Sequence, residues 1–193
     1  MHDRATDSEL MRAVRDGDLA CLGQLFERHH EKVFALAMRM TGSADAADDL
    51  VQETFLRILR YRESFRGDAR FTTWMYRLAR NVCVDHLRAS GADEIARERW
   101  ARDASHQEAR DQGAHERLAV LEEALRRLPI EKREVLILSR FHDLRFDEIA
   151  DVLECRPGTV RVRAHRALHE LRKLCRELEQ RDHELRSGFD APR

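Results

Sequence analysis

Along most of this chain apolar side chains recur every three or four residues, a spacing that admits helices and little else. Leu22, Leu25, Phe26, Val33, Ala37 and Met40 fall on one stripe between about Leu19 and Met40. Ala47, Leu50, Val51, Phe55 and Ile58 form a second between Ala44 and Tyr61. Leu118, Leu121, Leu125 and Leu128 form a third, stopped by Pro129. Val160, Ala164, Ala167, Leu171, Leu174 and Leu178 form the last, from Pro157 to about Gln180. With 8 glycines, 3 prolines and 37% charged residues in 193 positions, little else competes with helix. The predicted class is all-α.

The punctuation between stripes divides the chain. Thr6-Asp7-Ser8-Glu9 has the form of a capping box and opens a helix to about Gly17. Ser43 suits the N-cap of the helix that follows Thr41-Gly42. A polar loop runs from Arg62 to Arg70 with Phe65 inside it and Gly67-Asp68 as a turn signal; a helix from about Thr72 to Ala89 follows. Residues 90–113 carry no sustained apolar stripe and read as an acidic, flexible linker with transient helix around Ile95 to Trp100. Beyond the leucine helix come Glu131 to Phe141, Phe146 to Leu153, a very short turn, and the helix opened by Pro157. Two small helical domains are therefore expected, over 1–89 and 114–180, with a C-terminal tail over 181–193. Each would bury only a modest core, so their helices are open to new packing partners.

Several functions are disfavoured. The longest apolar run, Val33 to Met38, is too short to cross a bilayer, and no signal-peptide pattern opens the chain, so the expectation is a cytoplasmic protein without membrane insertion. Cys21, Cys83, Cys155 and Cys175 form no C-x-x-C pair and lack metal-ligand spacing, even with His29, His30 or His86. They read as buried thiols, and the two adjacent histidines as packing residues bordering a stripe. No metal and no cofactor is expected. Asp48, Asp49 and Glu53 share one helix, but no second ligand set or glycine-rich phosphate loop joins them, so an enzyme is not expected.

The formal net charge of −1 conceals a strong segregation. Acids outnumber bases up to Glu53, whereas bases dominate from Arg57 to Arg88 and again from Arg156 to Arg176, where Glu170 is the single acid. Two basic patches point to two contacts with a polyanion. On the last helix Arg161, Val162, His165, Arg166 and His169 project opposite the apolar stripe, behind a helix and a tight turn, the layout of a DNA-reading helix-turn-helix. Between Tyr61 and Asn81, Phe65, Phe71, Trp74 and Tyr76 are interleaved with arginines, as a surface needs to hold unstacked bases while neutralising a backbone. Phe71 and Trp74 have core spacing. Phe65 lies in a polar loop apart from any stripe and is expected to be the free aromatic.

These segments together resemble an extracytoplasmic-function (ECF) sigma factor, the compact two-domain branch of the sigma-70 family. Asp49-Leu50-Val51-Gln52-Glu53-Thr54-Phe55 is similar to the family's polymerase-binding helix. Ser64-Phe65-Arg66-Gly67-Asp68, followed by Phe71 to Asn81, is similar to its promoter-melting segment. Asp147-Glu148-Ile149-Ala150 and Gly158-Thr159-Val160-Arg161-Val162-Arg163 are similar to its helix-turn-helix. The resemblance implies that Asp48, Asp49, Gln52 and Glu53 face the clamp helices of the largest subunit of core RNA polymerase, with the flap as a second contact. It implies that Phe65, Arg66, Tyr76, Arg77, Arg80 and Asn81 meet the minus-10 element and capture a flipped base there. Arg156, Thr159, Arg161, Val162, Arg163, His165 and Arg166 would meet the minus-35 element, and the linker would thread towards the RNA path. The partners implied are core polymerase, promoter DNA both duplex and single-stranded, and an anti-sigma factor that could tether this nucleoid-associated protein to a membrane.

Two departures from the family pattern stand out. Glu154 occupies a turn position where many members carry glycine, and Val162 and His165 sit at variable contact positions, so the promoter sequence cannot be borrowed. The competing reading is a helix-turn-helix regulator that binds duplex DNA without polymerase; it leaves the Asp49–Phe55 motif and Phe65 without a role. A rival to an anti-sigma factor is a self-inhibited closed form, with the basic C-terminal helix held against the acidic N-terminal half.

Overall fold

A computed structural model describes residues 5–89, 112–142 and 144–189. The linker expected over 90–113, including Ile95 to Trp100, lies outside the described residues except for its last two positions. Within the described residues the chain forms eight α-helices and one short 3-10 turn, with no strand. In the N-terminal half these are α1 (Asp7–Arg15), α2 (Ala20–Thr41), α3 (Ala44–Arg60), the 3-10 turn Arg62–Ser64, and α4 (Phe71–Ala89). The C-terminal half contributes α5 (Gln112–Arg127), α6 (Ile130–Phe141), α7 (Phe146–Val152) and α8 (Pro157–Phe189).

Local chemistry sets the helix ends. Thr6 and Glu9 close the expected box: the Glu9 amide donates to Thr6 Oγ1 at 3.3 Å and the Thr6 amide to Glu9 Oε2 at 2.7 Å. At the far end of α2, Gly42 takes φ 74° and its amide donates to the Met38 carbonyl at 2.7 Å, a left-handed stop that side chains other than glycine's resist. Ser43 Oγ then receives the Ala46 amide at 3.3 Å and starts α3.

Helices α1 to α4 pack around one core in which Met11, Leu25, Met40, Ile58 and Met75 are fully enclosed. Burying each such side chain contributes roughly 1.5–3 kcal/mol. All five stripe residues of α3 are buried, as their spacing predicts. His29 is enclosed too; its Nε2 lies 2.7 Å from Asp7 Oδ2 and its ring is 5.4 Å from that of Phe71. Burial alone would raise the Asp7 pKa, but hydrogen bonds from Arg28 and His29 outweigh it and hold the carboxyl below its ordinary value. His29 thereby ties α1 to α2, the packing role expected of it.

In the C-terminal half α8 runs across α5, α6 and α7. Leu125 and Leu128 of the leucine stripe are buried, Leu121 is half-buried and Leu118 is half exposed, so only the end of that stripe faces the core. Helix α8 continues to Phe189, past the end expected near Gln180. No helix among the described residues is long and apolar enough to cross a membrane. The four cysteines form no disulfide; Cys21 and Cys83 are buried, whereas Cys155 and Cys175 are only half-buried. Burial pushes the Cys83 thiol up to about 12.

The two halves pack against each other, α4 on α7 and α2 on α5 and α6. At the junction the buried Arg133 donates to the Met40 carbonyl at 2.7 Å, to the Leu128 carbonyl at 3.1 Å, and to the Arg126 carbonyl. Carbonyls at helix C-termini lack partners within their own helix and carry partial negative charge. One guanidinium thus serves the ends of α2 and α5, elements of opposite halves. Arg39 adds a second bridge, its guanidinium 4.5 Å from the centre of the Phe141 ring.

Candidate nucleic-acid interface

Three surfaces carry the predicted site residues. The first is the outer side of α3. Asp48, Asp49 and Gln52 are exposed, while Glu53 accepts from Arg57 at 2.8 Å and Arg57 also reaches Asp85 at 2.9 Å. Phe26, His30, Phe34 and Val51 join Asp48 and Gln52 around a cleft of about 410 Å³. Leu56, one turn beyond Gln52, is 56% exposed and gives this acidic surface an apolar edge. Sequence reasoning missed Leu56, although its place outside the α3 stripe was a usable signal.

The second surface is the loop after α3 together with α4. Here an expectation fails: Phe65 is not apart from the core but 2% exposed. The 3-10 turn folds the chain back, with the Phe65 amide donating to the Arg62 carbonyl at 3.2 Å. Its ring is thereby set 5.4 Å from Trp74 and 6.2 Å from Phe71. The energy of enclosing a phenyl ring outweighs the polarity of its neighbours in sequence. Phe65 nonetheless lines a cleft of about 470 Å³ with Glu63, Arg66, Asp68, Trp74 and Arg77, a volume typical of small-molecule sites. Arg66 is exposed beside it.

The remaining residues of this surface face the C-terminal half. Tyr76 is 3% exposed, its hydroxyl 3.1 Å from His142 Nδ1. Arg80 donates from Nε to Glu134 Oε2 at 2.7 Å and from Nη1 to Asn81 Oδ1 at 3.0 Å. Arg77 lies 3.7 Å from Glu154, and Arg70 lies 3.2 Å from Glu148. Arg70, Glu134, His142, Glu148 and Glu154 were not among the predicted site residues. No sequence signal marks the pairing of these acids and His142 with α4 and the residue ahead of it, because they meet only through the packing of the two halves.

The third surface is the helix-turn-helix of α7 and α8. Ile149, Ala150, Val160 and Ala167 hold the two helices together from within. In the turn the Leu153 amide donates to the Ile149 carbonyl at 2.8 Å, and the Cys155 amide to the Ala150 carbonyl at 2.9 Å. That path drives Glu154 to φ 52°, the single non-glycine residue with positive φ among those described. The glycine-like position flagged in the sequence is real, and a non-glycine residue there carries about 1 kcal/mol of strain. The Arg156 carbonyl accepts from the Thr159 amide at 2.8 Å, and Pro157 occupies the first turn of α8, where its missing N–H is harmless. Arg156, Arg161, Val162, Arg163, His165 and Arg166 are exposed and Thr159 is half-buried. Among the described residues, none of the four arginines in this set has an ion-pair partner within 4.0 Å. Bare guanidiniums on the first turns of a helix suit the major groove, where arginine reads guanine with two hydrogen bonds.

Two family descriptions match separate stretches of the chain. Residues 25–92 match the family described as Sigma-70 region 2, and residues 118–171 match Sigma-70, region 4. The chain is 32% identical over 183 residues to the RNA polymerase sigma-H factor of Pseudomonas aeruginosa, covering 89% of this chain and 95% of that one. It is 33% identical over 178 residues to the ECF RNA polymerase sigma-E factor of Escherichia coli (strain K12), covering 86% and 93%. A solved structure of CnrH in complex with the cytosolic domain of CnrY matches with a TM-score of 0.66 at 27% identity, over 87% of this chain and 96% of that one.

Proposed function

The chain belongs to the sigma-70 family, in its extracytoplasmic-function branch of RNA polymerase sigma factors, and from this we propose how its three surfaces divide the work of initiation. The protein directs core RNA polymerase to particular promoters and helps open them; the bond-making chemistry belongs to the polymerase. Residues 1–89 are the module for core polymerase and the minus-10 element, 114–180 the module for the minus-35 element, 90–113 the acidic linker between them, and 181–193 a tail. The acidic face of α3, Asp48, Asp49, Gln52 and Glu53, docks on the clamp helices, with Leu56 adding apolar contact.

The cleft over Phe65 receives a flipped base of the minus-10 strand. Phe65 forms part of its floor, and Arg66, Arg77 and Arg80 hold the backbone once Tyr76 and Asn81 are uncovered. Arg161, Val162, His165 and Arg166 read the minus-35 duplex while Arg156, Thr159 and Arg163 position it by phosphate contacts. The protein acts in the cytoplasm at the nucleoid. Its likeness to CnrH, solved with a protein partner, supports a dedicated anti-sigma protein that competes with polymerase for the α3 face.

The observation that carries this reading is the presence of both modules, in order, on one chain. A lone duplex-binding regulator accounts for the bare arginines of α8 but not for the α3 face or the Phe65 cleft. Transcription reconstituted from purified chain and core polymerase on genomic fragments tests it. Discrete start sites that require the chain are expected. Footprints on duplex DNA without new transcripts would return the protein to the class of simple regulators.

A further inference from the structure

The two DNA-facing surfaces stand in opposite states. On α8 the base-reading arginines are bare, whereas the two α4 arginines assigned to the minus-10 strand, Arg77 and Arg80, are each engaged by an acid of the C-terminal half, as is Arg70 just ahead of α4. Arg80 is held by Glu134, whose carboxylate is 2% exposed; Arg77 lies against Glu154 and Arg70 against Glu148. Tyr76 is roofed by His142, with ring centres 5.0 Å apart. Three glutamates of one module thus face three arginines of the other, and a carboxylate and a phosphate oxygen make the same charge-assisted hydrogen bonds to a guanidinium.

We infer that the C-terminal module is a built-in competitor of the minus-10 strand: its glutamates occupy, on the α4 arginines, the place that single-strand phosphates take on opening. The inference rests on the assignment of the α4 surface to minus-10 DNA. It makes the closed chain competent for duplex at α8 and incompetent for single strand at α4, so that the two contacts are made in that order. The arrangement differs from the rival self-inhibited form, in which the basic α8 would rest on the acidic N-terminal half. Here α8 keeps its basic face clear, and the acids come from α6, α7 and the turn.

The contact is built to release. Arg70 and Glu154 have side chains 72% exposed, so their pairs are weak and screened by salt, whereas Arg80–Glu134 is shielded and gives the closure its specificity. Apparent affinity of a ligand for a state that is rarely open falls by the open fraction. Removing the acids should restore it.

The test uses the full-length chain with Glu134→Gln and Glu154→Gln together, and Glu154→Gln alone. Glu154 is exposed in a turn, so the single variant stays informative if the buried substitution disturbs folding. Binding of a fluorescent pool of short single-stranded DNA of randomised sequence is read by anisotropy, and overall dimensions by small-angle X-ray scattering. The double variant is expected to expand and to bind the pool about tenfold tighter, the single variant about two- to threefold. Unchanged dimensions with unchanged affinity would overturn the inference. Expansion without tighter binding would overturn the competition, and if Arg80→Ala then leaves binding of the pool unaltered, the minus-10 assignment of α4 falls with it.

Discussion

Replacing Phe65 by alanine separates a packing role from a purely DNA-contacting one. The ring is 2% exposed and lies against both Phe71 and Trp74 at edge or tilted geometry. Truncating an enclosed phenylalanine costs about 3–5 kcal/mol, because the lost transfer energy is joined by that of the cavity left behind. Whole domains are stable by only about 5–15 kcal/mol, so Phe65→Ala should leave the N-terminal half close to its limit. With a urea dependence of about 1–3 kcal/mol per molar, the unfolding midpoint followed by circular dichroism should fall by about 2 M. Phe65→Leu keeps an apolar side chain in place and should cost no more than about 1.5 kcal/mol. The leucine variant therefore reports on base capture with the fold retained: opening of the minus-10 element should drop, and a pre-melted template should restore part of it. A midpoint for Phe65→Ala within a few tenths molar of the unsubstituted chain would refute the packing argument and return Phe65 to the open loop predicted from the sequence.

Other expectations concern the remaining surfaces. Charge reversal at Asp49 and Glu53 together should weaken binding to core polymerase in a pull-down or anisotropy titration. Because Glu53 loses only a partly exposed pair with Arg57, worth about 0.5 kcal/mol, the helical signal should not change. Loss of Arg161 or Arg166 should cost about 1–3 kcal/mol at particular minus-35 base pairs, whereas loss of Arg172 or Arg176 should weaken all sequences alike, a distinction that binding selections resolve. Exchanging Val162 and His165 should change the base preferred; recovery of the same motif would count against their role. The depressed Asp7 carboxyl stabilises the fold above its ordinary pKa of about 3.9, and that contribution disappears as the pH falls through the still lower folded value. Asp7→Asn should flatten this part of the acid-stability curve, measured by thermal melts between neutral pH and strongly acid buffer.

The helices and their capping were legible because the signals are local. Thr6 with Glu9, Ser43, Gly42 and Pro157 each act within a turn or two, and the α3 stripe lies inward residue for residue. The strained turn at Glu154 was legible for the same reason. Phe65 was not, since its environment is made by a 3-10 turn and by two rings six and nine positions later, which polarity along the chain does not report. Leu118 shows the converse: periodic spacing promised burial, but the helix outruns the core it packs on. The contacts of Arg70, Arg77 and Arg80 with glutamates more than fifty residues away lie beyond any pattern in the sequence, because charge segregation says which patches attract and not which helices meet. Segregation admitted α8 against the N-terminal half only as a rival to an anti-sigma partner, and the halves meet instead through α4 on α7.

Arg133 has a consequence for how the chain loses its structure. Its guanidinium, carried by α6, joins the last carbonyls of α2 to those of α5, so loss of the N-terminal half leaves a buried cation short of an acceptor and loss of the C-terminal half leaves the Met40 carbonyl without its donor. A hydrogen bond from a charged donor contributes about 1.5–3 kcal/mol, a sizeable share of what a small helical bundle holds in reserve. While closed, the two modules, whose buried side chains form one continuous cluster, are therefore expected to melt as one cooperative unit. If polymerase or DNA draws them apart, as the proposed competition requires, Met40 and Arg133 turn to water and each module becomes an independent melting unit with its own, smaller stability. The open form outside the complex is then the more fragile one, because partners that bind the folded modules stabilise them, and the factor's lifetime in the cell depends on how long it stays open and unbound.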